Sequence, residues 1–157
     1  MFGKDGLREN HFEVTYLLGR FMTEHLVRVY NAFDGDLTAA IVLGTIGQYN
    51  YHGYYEETRA NAGEGFDRKV ERGEHVPRAR PCNAMSVSQS TGIPRETVRR
   101  KIRKLVAKGW VRQVGPDKLV ITRLPGQHFV EFDRETMERF ASTADRIRRA
   151  TGNEPRR

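Results

Sequence analysis

The sequence predicts a mostly α-helical protein that carries one small β-hairpin, and three observations predict it. Apolar residues recur at three- and four-residue steps through residues 11–33 and again through 132–147. Between residues 83 and 108 a short run, a glycine and a longer basic run read as two helices joined by a tight turn. Two short alternating runs, 110–114 and 119–123, flank the turn-forming Gly115-Pro116-Asp117-Lys118 and read as a hairpin.

In the first helix, Val14, Leu17, Leu18, Phe21, His25, Val29 and Phe33 form the apolar stripe. Gly35 is expected to close it and Asp36 to cap a second helix running from Leu37 to about Glu57. The first half of that second helix is apolar almost all round, which implies burial on several sides. Gly44 and Gly47 would admit another helix closely, and Gly53 weakens the end. Residues 58–81 are polar and charged, with Gly63, Gly65, Gly73, Pro77 and Pro81, and read as a long loop. Order returns with a short helix over 83–91, a turn at Gly92 and a helix over 94–108 with Pro94 near its first position. Gly109 ends that helix. A last helix is expected to begin after Phe132 with Asp133 as its cap, and residues 151–157 read as a frayed tail. Along the chain this gives a helical region over 1–57, a charged loop over 58–81, a core of two helices and a hairpin over 82–124, and a C-terminal helix and tail over 125–157.

Charge is distributed unevenly. The chain holds 27 Lys and Arg against 20 Asp and Glu, net +7. Residues 58–118 alone hold 15 basic and 6 acidic side chains, whereas residues 1–57 hold 4 and 8. The positive charge therefore coincides with the two-helix segment, which points to a polyanion as partner. Cys82 is the single cysteine, so neither an intrachain disulfide nor a cysteine-rich metal site can form. No apolar signal core opens the chain, and the most apolar run, 37–46, is too short to span a bilayer. A cytoplasmic protein without membrane contact is expected.

The helix over 94–108 carries the function. Ile93, Val98, Ile102, Leu105 and Val106 are expected to face a core, covered by Val87 and Trp110. The opposite side carries Arg95, Glu96, Arg99, Arg100 and Arg103, with Lys101 and Lys104 at its margins. Seven of the sixteen residues from Ile93 to Lys108 are basic and only Glu96 is acidic. An α-helix fits the major groove of duplex DNA, and arginine there can bond guanine bidentately, worth roughly 1–3 kcal/mol of discrimination. Arg95 and Arg99, one turn apart, are expected to read bases. Thr97, Arg100 and Arg103 are expected to hold phosphates, which position without specifying. Glu96 either accepts from a cytosine amino group or steers Arg100 along the helix.

Short helix, glycine turn, basic helix and hairpin is the order of a winged helix-turn-helix. The run Ile93-Pro94-Arg95-Glu96-Thr97-Val98-Arg99-Arg100-Lys101-Ile102-Arg103-Lys104-Leu105-Val106-Ala107-Lys108-Gly109-Trp110-Val111 resembles the recognition-helix-to-wing signature of the GntR family of transcriptional regulators. The likeness covers about residues 84–114, and the flanking helices resemble the dimerising arms of MarR-type regulators. It implies that Arg95, Thr97 and Arg99 contact DNA and that the wing tip around Lys118 touches the backbone or minor groove. Lys101 departs from the pattern, standing where a small residue is usual, and no GntR effector domain is recognisable.

Other clusters carry weaker chemistry. Tyr49, Tyr51, His52, Tyr54 and Tyr55 could form an effector pocket with Tyr51, His52 and Tyr55 at its wall, although such clusters are more often packing. His52 and Glu56 have metal-ligand spacing, with His11, His25 or His75 as conceivable third ligands, but nothing fixes those partners and no metal or other cofactor is expected. Cys82 near Arg78 and Arg80 could favour a thiolate, although a lone cysteine at a helix entrance is more often just a small residue. No nucleophile elbow, P-loop, HExxH or dinucleotide fingerprint is present, so no catalytic residue and no enzyme are expected. The sequence thus predicts a homodimeric, sequence-specific regulator of transcription on double-stranded DNA. The alternative is an architectural or protein-docking module of the same fold.

Overall fold

The computed structural model describes residues 4–60, 66–74, 76 and 79–152. The described chain is mostly helical with one small antiparallel hairpin, in the order α1 (Lys4–Glu9), α2 (His11–Ala32), α3 (Leu37–Ala60), α4 (Phe66–Glu71), α5 (Ala84–Thr91), α6 (Arg95–Ala107), β1 (Val111–Gln113), β2 (Leu119–Ile121), α7 (Leu124–His128) and α8 (Val130–Ala150). No helix among the described residues is long and apolar enough to cross a membrane. The contacts divide the chain into two units, Met1–Gly35 with Phe129–Arg157, and Asp36–His128.

The first unit is built on α2 packed against α8. Leu17 is buried, and the rings of Phe21 and Phe140 lie 5.8 Å apart. Arg28 ties the pair together. Its guanidinium donates to Thr136 Oγ1 at 2.8 Å, to the Phe132 carbonyl at 3.1 Å and to Glu135 Oε2 at 2.9 Å, and it lies over the Phe132 ring. Phe33 and Phe129 stack at 5.2 Å. Two expectations fail here. The last helix starts at Val130, so Asp133 sits inside its first turn and caps nothing. A separate short helix, α7, precedes it, because Pro125 falls in the first turn of α7, where a missing N–H costs no hydrogen bond.

The second unit sets α3 against α5, α6 and the hairpin. Val42 and Ile46 from α3, Val87 from α5, Val98, Ile102 and Leu105 from α6, and Val111, Leu119 and Val120 from the strands form its core. Trp110 is buried at the hairpin's base, as expected, but Val106 is exposed and takes no part. Asp36 Oδ1 caps α3 by accepting from the Ala39 N–H at 3.0 Å. Gly47, rather than admitting a helix, lets α3 approach Ile121 of β2, and Gly44 meets nothing. One polar residue is fully buried in this core. Asn50 donates to the Leu119 carbonyl at 3.1 Å and accepts from the Ile121 N–H at 2.7 Å, so it satisfies the edge of β2 as another strand would.

Local chemistry explains the turns. Asn83 closes a capping box with Ser86: its Oδ1 accepts from the Met85 and Ser86 N–H groups at 2.9 and 3.1 Å. Gly92 takes φ +72°, the left-handed conformation that glycine adopts without steric cost, and turns the chain from α5 into α6. Pro94 occupies the N-cap position, one residue earlier than expected, with extended ψ of 135°. The strands pair Val111 with Ile121, Arg112 with Val120 and Gln113 with Leu119. They are shorter than the sequence runs. A third segment joins them at Cys82, whose N–H donates to the Asp117 carbonyl at 3.0 Å and whose carbonyl accepts from Leu119 N–H at 2.9 Å. Within the stretch read as a loop, α3 continues to Ala60 and α4 forms.

Candidate nucleic-acid interface

The apolar spacing of α6 decides where its cations stand. Val98, Ile102 and Leu105 turn one side inward, and Arg95, Glu96, Arg99, Arg100 and Arg103 are all exposed. Their distribution is finer than the sequence suggests. Arg95, Arg99 and Arg103 follow one another at four-residue steps along the flank nearest the hairpin and line a concavity of about 280 Å³ with Asn83, Gln113 and Asp117. Arg100 is exposed but does not line that concavity. Thr97 is half-buried towards the opposite flank, and Lys118, also half-buried, forms the bridge to Cys82.

Glu96 pairs with Arg99, not with Arg100. The pair is exposed at both ends, so it contributes little to stability but holds the Arg99 guanidinium beside the helix. Lys101, which stands where the resemblance leads one to expect a small residue, is taken up inside the unit. Its ammonium donates to both Asp36 oxygens at 2.6 and 2.7 Å, and Lys104 lies 3.7 Å from the same carboxylate. Burial pushes the Asp36 carboxyl up, but hydrogen bonds from Lys101 and the Ala39 N–H, with the charges of Lys101 and Lys104, bring it below its ordinary value. Two of the seven basic groups of this segment therefore answer an internal acid. Arg95, Arg100 and Arg103 have no ion-pair partner among the described residues.

The concavity contains residues that sequence reasoning passed over. Asn83 Nδ2 donates to Asp117 Oδ1 at 3.0 Å and so links the start of α5 to the hairpin turn. Gln113 shares the strand face of Val111, and the two-residue alternation of β1 is the signal that could have found it. Arg112, between them, points outward and is exposed.

The tyrosine cluster is also real in space. Tyr51, His52 and Tyr55 line a cavity of about 580 Å³ on α3, together with Tyr49, Arg80 and Ser90. Tyr49 and Ser90 share a hydrogen bond of 2.8 Å between their hydroxyls. Burial pushes the Tyr51 phenol up. Tyr54 turns away into the core, where its hydroxyl donates to Glu74 Oε2 at 3.2 Å.

Cys82 is fully buried and burial pushes its thiol up to about 11, which disfavours the thiolate considered beside Arg78 and Arg80. Arg78 lies outside the described residues. Among the described residues no three His, Cys, Asp or Glu side chains gather to hold a metal, and His75 lies outside them.

Comparison with protein-family models, with curated proteins and with solved structures finds no match for this chain.

Proposed function

We propose that the protein is a sequence-specific, double-stranded-DNA-binding regulator of transcription, with α5 and α6 as a helix-turn-helix and β1–β2 as its wing. The observation that carries this reading is the flank of α6. Three arginines stand one turn apart on an exposed helix beside the hairpin, and the acids near them are Glu96 on the helix and Asp117 at the hairpin turn. A helix of that width fits a major groove, and a wing beside it reaches the adjacent backbone. Asp36 neutralises Lys101 from within the unit, which leaves the arginines as the outward charge.

The same reading makes the protein a homodimer. The side of α2 turned away from α8 exposes Phe12, Tyr16, Leu18, Met22, Leu26, Val27 and Tyr30, interspersed with Thr15, Gly19 and Thr23. That side holds no charged residue over five turns, whereas Glu13, Arg20, Glu24 and Arg28 all lie on the side towards α8. A contiguous apolar face of this kind marks an interaction site, and a second copy would double the DNA contacts. A cytoplasmic location follows from the role.

Titration of a random-sequence duplex at two salt concentrations tests the electrostatic part. Affinity should fall steeply with salt, by a slope that drops by about 1 for Arg103→Ala. Absence of binding at low salt would end the reading.

A further inference from the structure

We propose that the cavity on α3 is a binding site for a small aromatic carboxylate, and that its occupation changes DNA binding through α5. Tyr49, Tyr51, His52 and Tyr55 give it aromatic walls, and its volume of about 580 Å³ lies in the range of roughly 300–1,000 Å³ typical of small-molecule sites. Its charge is one-sided. Among the described residues Arg80 is the only cation lining it, no acid lines it, and Arg80 has no ion-pair partner. A guanidinium without a counter-ion at the edge of an aromatic cavity is complementary to a planar apolar molecule with one carboxylate, which it can hold bidentately. Flat rings stack on tyrosine and histidine.

The route to α6 is short. The cavity wall crosses from α3 to α5 at Tyr49 and Ser90, whose hydroxyls bond each other at 2.8 Å. Ser90 lies two residues before Gly92, the turn that sets α6. A ligand that competes for either hydroxyl or wedges against Ser90 has different contacts for different settings of α5, which is the requirement for coupling. The regulatory half of the inference rests on the DNA-binding reading; the binding site itself does not.

The test titrates benzoate, 2-naphthoate and indole-3-acetate into the full chain without DNA, by calorimetry, with 2-naphthylmethanol as the neutral control. At least one acid should bind once per chain, and Arg80→Gln should weaken it at least about tenfold, the loss expected for a charge-assisted hydrogen-bonded pair. The alcohol should bind about tenfold more weakly than 2-naphthoate. Tyr55→Ala, which keeps Arg80, should weaken all the acids together. No binding by any of the three acids at millimolar concentration, or equal binding to the Arg80→Gln variant, would overturn the site. The bound acid should then shift the affinity for duplex DNA, and DNA should shift acid affinity by the same factor. Acid binding by a chain that ignores DNA would refute the DNA-binding reading and the coupling while leaving the site. DNA binding by a chain that ignores all three acids would refute the site alone.

Discussion

Helices α2 and α6 each bury one side within their own unit and leave the other exposed, yet the two free sides have opposite chemistry. On α2 the free side runs from Phe12 to Tyr30 without a charge. On α6 it carries Arg95, Arg99, Arg100 and Arg103. The helical period settles which side of each is buried, and the composition of the remaining side selects what can cover it. An uncharged apolar side loses free energy in water at roughly 25 cal/mol per Å² and is satisfied by another apolar surface. A row of arginines is already well solvated and gains only from a polyanion, by releasing its counterions. On the proposed function, the difference separates an assembly surface from a recognition surface within one small chain.

The largest effect should come from charging the apolar side. Met22→Glu with Leu26→Glu should leave the chain folded but monomeric at concentrations where the parent sediments as a dimer. Affinity for a two-fold DNA site should drop by about 100-fold or more as avidity is lost, while affinity for a half-site is unchanged. An unaltered sedimentation coefficient would remove α2 from the dimer.

Next comes the frame that holds the hairpin beside α6. Asn50→Leu removes both bonds from α3 to β2 and strands the Leu119 carbonyl and the Ile121 N–H. Each costs roughly 1–3 kcal/mol in a buried setting, so denaturant titration should show a clear loss of stability. DNA affinity should fall with it even though no arginine has changed.

Arginine substitutions sharpen the recognition side. Arg99→Ala should cost about 1–3 kcal/mol on the preferred site and little on random duplex, whereas Arg103→Ala should weaken both alike. The shared concavity of Arg95, Arg99 and Arg103 makes this contrast informative, since a purely electrostatic groove would give equal losses on both duplexes for all three.

The smallest effect concerns acid. Asp36 has a folded-state carboxyl below its ordinary 3.8, so its contribution to stability is complete above that value and is lost as pH falls through the lowered one. The parent should therefore lose stability more steeply below about pH 4 than Asp36→Asn, as followed by thermal melts across pH 2–5.

Much of this arrangement was legible in the sequence because its signals are local. Gly92 and Gly109 mark turns by their position after short apolar periods, and both adopt positive φ. The spacing of Val98, Ile102 and Leu105 fixes the inward side of α6 and hence the outward arginines. What stayed hidden depends on partners distant along the chain. Asn50 reads as one polar residue in an apolar helix, and its partners lie some seventy residues further on. Cys82 has basic neighbours in sequence, but its neighbours in space are the hairpin and the core. The pairing of Glu96 with Arg99 was invisible for a different reason: three- and four-residue partners compete equally on a helix, and only side-chain placement chooses. Tyr51, His52 and Tyr55 were identified as a group, but Arg80 and Ser90, which give their cavity its charge and its link to α5, come from later segments.

The most direct measurement is a selection from random duplexes with the purified full chain, followed by sequencing of the retained pool. An enriched motif with two-fold symmetry, its half-sites about one helical turn of 10–10.5 base pairs or a multiple apart, is the result expected of a dimer that reads DNA through α6. Retention without any enriched sequence would contradict the claim of specific recognition and leave an architectural module in its place.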